Sequence, residues 1–102
     1  MSVVKNNARK RGIGFGVTIE YVARLLESQG HKCAMTGYEI GFVYGRKASS
    51  TASLDRIDSK IGYFPGNLQW LHKDVNAMKT FLPDSRVVEL CLAVAKHKSL
   101  GE

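Results

Sequence analysis

The chain has 102 residues, with one Trp, four Tyr, four Phe, two Cys and a formal net charge of +6. That length holds a single domain, residues 1–102, and the apolar fraction is that of a globular chain rather than a disordered one. No apolar run approaches the roughly 18 residues of a membrane span. Met1 to Arg11 lack the apolar core of a signal peptide, so a cytoplasmic protein with no membrane partner is expected.

Val3 to Arg11 is polar and basic and predicts a short helix ended by Gly12. Lys5, Arg9, Lys10 and Arg11 gather there, either as contacts to a phosphate backbone or as a solvated helix face. Gly12 to Gly16 lacks the Lys-Ser/Thr of a nucleotide loop and is predicted to be a flexible turn, with Ile13 and Phe15 pinned inward. Thr18 is a good N-cap with Glu20 in the first turn, and Val22, Leu25 and Leu26 recur at helical spacing until Gly30. This helix is expected to form core and to carry no chemistry.

Cys33 to Gly37 reads as a turn after a short strand. Tyr38 to Tyr44 is aromatic and β-branched and predicts a strand or extended edge, with Gly41 as a bulge and Gly45 as its stop. Arg46 to Ala52 is small and polar, a loop. Ser53 to Asp58 predicts a first core strand, Ser59 to Gly66 a loop rich in turn formers, and Asn67 to His72 a second strand. Lys73 to Thr80 predicts a helix that Leu82-Pro83 breaks. A last helix starts at Asp84 or Ser85, with Val87, Leu90, Cys91 and Val94 as its apolar stripe and Lys96, His97 and Lys98 at its C-terminal end.

The segment from Ala52 to Lys79 carries the chemistry. Phosphodiester hydrolysis needs a cation to stabilise charge, a base or an aligned water, and positive groups that hold the backbone. A strand–loop–strand–helix unit brings a carboxylate of the first strand toward a polar side chain of the helix, which here are Asp55 and Asn76. Both are hard oxygen donors suited to Mg²⁺ or Mn²⁺. Asn67 opens the second strand, where its amide is expected to tie down the loop. Each of these residues, taken singly, is an ordinary turn or surface residue; the order and spacing carry the weight.

That order resembles the HNH nucleases of the ββα-metal superfamily, whose motif has Asp-His on the first strand, Asn at the second strand and His or Asn in the helix. Asp55-Arg56, Asn67 and Asn76 occupy those places, and Leu54, Ile57, Gly62-Tyr63, Leu68 and Met78-Lys79 resemble the small phage and bacterial branch. The upstream Ala8 to Gly12 and Lys32 to Gly37 look like the N-terminal half of that branch. The resemblance implies an α+β fold with a ββα-metal hairpin-plus-helix core flanked by N-terminal and C-terminal helices. It implies a Mg²⁺- or Mn²⁺-dependent DNA endonuclease, with Asp55 and Asn76 as metal ligands and Arg56, Asn67 and His72 in the catalytic set. Lys5, Arg9, Lys10, Arg11, Lys60, Lys73 and Lys79 are then the expected nucleic-acid contacts, although lysines on helices are more often simply solvated.

Two departures follow. The general-base His of the motif is Arg56 here, which stays protonated and is a poor base but binds phosphate well. Some divergent members, a rare-cutting restriction enzyme among them, are similar at this Asp-Arg pair. His72, Tyr63, Asp58 and His31 stand as alternative bases, His72 having also a structural reading, since it falls where many relatives carry a zinc cysteine. The zinc cysteines of relatives correspond to Cys33, Thr36, His72 and Val75, so no structural zinc is expected. The alternative function is a catalytically weak or inactive DNA-binding module of the same fold; a weaker one is a small structural or assembly protein. A chain this short has no separate specificity domain, so a homodimer or a partner protein is the expected source of specificity.

Overall fold

The computed structural model describes residues 14–42 and 50–100. The expected N-terminal helix, with Lys5, Arg9, Lys10 and Arg11, lies outside these residues, as does Ile13. The order of elements is α1 (Ile19–Ser28), β1 (Ala52–Arg56), β2 (Leu68–His72), α2 (Lys73–Lys79) and α3 (Asp84–Leu100), an α+β arrangement built on one antiparallel hairpin.

Thr18 caps α1 through its hydroxyl, which accepts the Tyr21 N–H at 3.1 Å. The helix ends where Gly30 takes φ +66, a conformation that costs glycine nothing. Val22 and Leu26 turn inward from α1 and join Cys33, Ile40, Leu54, Tyr63, Leu68, Trp70 and Leu71 in the core. The indole N–H of Trp70 donates to the Val22 carbonyl at 2.8 Å, so the largest core side chain is also satisfied. Gln29 lies along β2 as a substitute strand: its amide donates to the Trp70 carbonyl at 2.9 Å and accepts the Trp70 N–H at 2.8 Å. Two strands alone are marginal in water. This side-chain pairing and the packing of α1 and α2 on the hairpin make it part of a core.

The hairpin register pairs Ala52 with His72, Leu54 with Trp70, Asp55 with Gln69 and Arg56 with Leu68. Asp55 and Arg56 therefore sit at the loop end of the hairpin and His72 at the helix end. With α2 following β2 directly and packing on both strands, the unit is strand, loop, strand, helix.

Three expectations need correction. Gly14 to Gly16 is no turn: it runs beside Tyr63, with the Tyr63 N–H donating to the Gly14 carbonyl at 2.8 Å and the Gly16 N–H to the Tyr63 carbonyl at 2.7 Å. The approach is so close that a Cβ on Gly62 would lie 2.4 Å from the Gly14 carbonyl oxygen. Tyr38 to Phe42, the described part of the segment expected as a strand or extended edge, is no regular strand: it forms an isolated bridge between Lys32 and Glu39, and the Gly41 carbonyl accepts from the Thr51 and Ala52 N–H groups. The stripe of α3 is not core either. Val87 is buried, but Leu90, Cys91 and Val94 are exposed, because the helix leaves the domain after its first turns. Among the described residues no helix is long and apolar enough to cross a membrane.

Candidate functional site

One side chain makes four bonds to the loop between the strands. Asn67, buried beneath it, accepts the Asp58 N–H on Oδ1 at 2.9 Å and donates from Nδ2 to the carbonyls of Asp58 (3.1 Å) and Gly62 (3.0 Å), with a longer bond to Ile61 (3.4 Å). A loop of eleven residues separating the strands is thereby folded back on the hairpin end that carries Asp55 and Arg56.

Arg56 is held by the same loop. Its Nη1 donates to the Ser59 carbonyl at 2.8 Å and the Ile61 carbonyl at 3.2 Å, and its guanidinium lies 5.4 Å from the centre of the Tyr63 ring. Only Nη1 is used in the described bonds, so the rest of the fork is available to a phosphate. On α2, Asn76 donates from Nδ2 to Ser53 Oγ at 2.6 Å, which leaves its amide oxygen as the acceptor. Asp55, Arg56 and Asn76 line one small polar cavity of about 170 Å³ together with Leu54, Ser59, Tyr63 and Thr80. A wider groove of about 490 Å³ shares Arg56, Asn76 and Thr80 with it and adds Ser53, Lys73, Ala77 and Phe81. Thr80 at this rim has φ +50, a conformation that a β-branched residue adopts only under constraint.

Asp55 is more constrained than the sequence suggests. It is buried in β1, and its Oδ2 accepts from Lys79 Nζ at 2.5 Å and from Gln69 Nε2 at 2.9 Å. Among the described residues Oδ1 accepts nothing. Lys79 is the second surprise. Expected at a phosphate, its side chain is 1 % exposed and its three N–H donors go to Asp55 Oδ2, Asp84 Oδ1 (2.9 Å) and the Arg56 carbonyl (3.1 Å). The cause is local: α2 packs on β1, so the side chain of its last residue runs into the hairpin. Burial works against the charge on Lys79, but the bonds and charges of Asp55 and Asp84 outweigh it and raise its pKa above the ordinary lysine value. Gln69 Nε2 also reaches both carboxylate oxygens of Asp84, at 3.2 and 3.0 Å, closing a network of four side chains.

His72 belongs elsewhere. Its Nδ1 accepts the Asp74 N–H at 3.1 Å and caps α2, and it does not line the cavity. Of the four alternative bases, Asp58 caps its own turn by accepting the Lys60 N–H at 2.9 Å, His31 is exposed beside α1, and Tyr63 alone lines the cavity. Lys60 is exposed on the loop and Lys73 lines the groove. Cys33 is buried. Burial pushes its thiol up, but the Thr36 hydroxyl and the backbone N–H groups of His72, Thr36 and Met35 bring it below its ordinary pKa. Val75 packs on the same core.

Gln69 and Asp84 were not singled out by the sequence reading. A polar residue inside the run Leu68-Gln69-Trp70-Leu71 was the available signal for Gln69. Asp84 was legible only as a helix start.

Asp55 and Asn76 line the cavity, and the oxygens they have left outside the described bonds, Asp55 Oδ1 and the Asn76 amide oxygen, make a hard and sparse donor set. It fits one small divalent cation that keeps most of its water, such as Mg²⁺ or Mn²⁺. No group of three His, Cys, Asp or Glu side chains stands ready for a metal among the described residues. Comparison of the chain with family models, with curated proteins and with solved structures finds no match.

Proposed function

We propose that the chain is an HNH-type endonuclease that hydrolyses DNA phosphodiester bonds with the help of a divalent cation. The observation that carries this reading is the meeting of Asp55, Arg56 and Asn76 in one polar cavity, beside a loop clamped by Asn67, on a strand–loop–strand–helix unit. Asp55 and Asn76 would hold Mg²⁺ or Mn²⁺, which when bound supplies Lewis-acid stabilisation of phosphate charge.

The chain's own residues do the rest. Arg56 is restrained by two carbonyls and the Tyr63 ring, so it presents a fixed fork to a phosphate oxygen. Tyr63 lies with its ring against the Arg56 guanidinium, lines the cavity and carries a hydroxyl able to exchange a proton. Asn67 touches no substrate in this scheme; it keeps the loop, and with it Arg56, in place. The groove running on past Lys73, Thr80 and Phe81 gives the flanking phosphates a path.

The second reading, a DNA-binding module without turnover, draws on one observation: Lys79 already neutralises the carboxylate that the metal needs. Supercoiled plasmid incubated with the protein and Mg²⁺ or Mn²⁺, against EDTA, separates the two. Metal-dependent nicking that Asp55→Asn abolishes supports the nuclease. Salt-sensitive DNA binding with no strand breaks under any metal supports the module.

A further inference from the structure

We propose that Lys79 is a positioning residue that sets the cation selectivity of this site, because its buried ammonium bonds Asp55 Oδ2 and leaves that carboxylate a single oxygen, Oδ1, for a metal. The proposal rests on the metal-dependent reading above and concerns which divalent ions the site accepts.

Three observations meet here. Lys79 is the largest fully buried side chain among the described residues, and every N–H of its ammonium has an acceptor. It therefore has no donor left for a nucleic-acid phosphate, and its work is internal. Asp55 Oδ2 takes two donors, Lys79 Nζ at 2.5 Å and Gln69 Nε2 at 2.9 Å, which use both of its lone pairs. A cation chelated by both oxygens of Asp55 would have to displace the amide and approach the ammonium against like charge. Two lining residues, Asp55 and Asn76, are left with one carboxylate oxygen and one amide oxygen outside the described bonds.

Cations differ in how they meet such a site. Ca²⁺ gathers six to eight oxygens and commonly takes a carboxylate bidentately, whereas Mg²⁺ holds a tight octahedron, keeps several waters and is content with one or two monodentate protein ligands. By fixing Oδ2, Lys79 weakens the attraction of Asp55 for every cation, but it denies Ca²⁺ in addition the second carboxylate oxygen that Mg²⁺ and Mn²⁺ do not need. Asp84 anchors the ammonium from the other side, so that Lys79 is held from the start of α3 as well as from β1.

The test reads cation binding, with no DNA present. Binding of Mn²⁺ to the full chain is followed by electron paramagnetic resonance of the free aquo ion, and Mg²⁺ and Ca²⁺ are titrated as competitors. Wild type is expected to bind Ca²⁺ no better than Mg²⁺. The double variant Lys79→Met/Asp84→Asn, which removes the ammonium together with the second carboxylate it pairs with and leaves Asp55 held by Gln69, is expected to gain about tenfold in Ca²⁺ over Mg²⁺ as Oδ2 becomes a ligand. Asp84→Asn alone keeps the Lys79–Asp55 bond and is expected to keep the wild-type ratio. A purely structural lysine would alter stability and leave the ratio where it was, so an unchanged ratio in the folded double variant overturns the proposal and leaves the metal reading standing. No Mn²⁺ binding that depends on Asp55 overturns both. The wild-type chain gives a second measurement that needs no variant. The ¹⁵N resonance of the buried Lys79 ammonium is expected to shift but persist when Mg²⁺ saturates the site; its loss, as the lysine is driven out, overturns the proposal.

Discussion

Asn67 grips Asp58 from both sides: its Oδ1 accepts the Asp58 N–H at 2.9 Å while its Nδ2 donates to the Asp58 carbonyl at 3.1 Å. One side chain thus replaces the pairing that a longer hairpin would have provided, and Arg56 inherits its position from the result. Asn67→Ala removes these bonds and is expected to destabilise the fold by about 2 kcal/mol, read from urea unfolding. Asn67→Asp is expected to cost more at neutral pH, because it sets a carboxylate oxygen against three carbonyls, and to recover part of the loss as acid protonates it. An Asp variant as stable as wild type at neutral pH would show that the loop does not depend on the Nδ2 donor.

Asp55 has two roles that a single substitution confuses. Asp55→Ala strips Lys79 of its closest acceptor and leaves a buried ammonium with one carboxylate partner, an expected cost of about 3 kcal/mol. Asp55→Asn keeps the shape and a carbonyl acceptor but loses the charge. It is expected to unfold closer to wild type while losing plasmid nicking entirely. Nicking that survives Asp55→Asn at normal rate removes Asp55 from the chemistry.

Tyr63 and His72 exchange the roles that spacing suggests. Tyr63→Phe keeps the ring beneath Arg56, so only the hydroxyl is tested, and nicking is expected to fall by about 10²-fold with stability nearly unchanged. His72→Ala is expected to do the reverse: it loses the cap of α2, about 1 kcal/mol, and keeps its nicking rate per folded molecule. Initial rates at saturating metal, set beside urea midpoints, give both answers from the same preparations.

The parts of the molecule that were legible in the sequence are those fixed locally. Thr18 before an apolar 3.6-residue pattern gave α1, and turn residues between two apolar runs gave the hairpin to within two residues at each end. The tie made by Asn67 was readable because an Asn next to a glycine-rich loop has backbone groups within reach. What escaped was tertiary. Nothing in the sequence of α2 distinguishes Lys79 from the exposed Lys73; only the packing of that helix on β1 buries one and leaves the other at the surface. The stripe of α3 has the right period, but period records which residues share a face and not whether anything covers it.

The burial of Lys79 also leaves a signature in the alkaline range. Burial disfavours its charge, yet bonding to Asp55 and Asp84 wins, and the folded pKa stands above the ordinary lysine value. A base whose pKa is raised by folding binds its proton more tightly in the native state, so its stabilisation is complete below the unfolded pKa and is lost as pH climbs through the folded one. Wild type is therefore expected to lose stability with rising pH in the range above the ordinary value of 10.5. Lys79→Met/Asp84→Asn is expected to lack that component, while the titration of the other lysines and of the tyrosines cancels between the two proteins. Urea unfolding of both across the alkaline range measures the difference directly. Parallel curves would mean that the ammonium of Lys79 is no better bound in the folded chain than in the unfolded one, and the four-side-chain network would lose its claim to hold α2 and α3 to the hairpin.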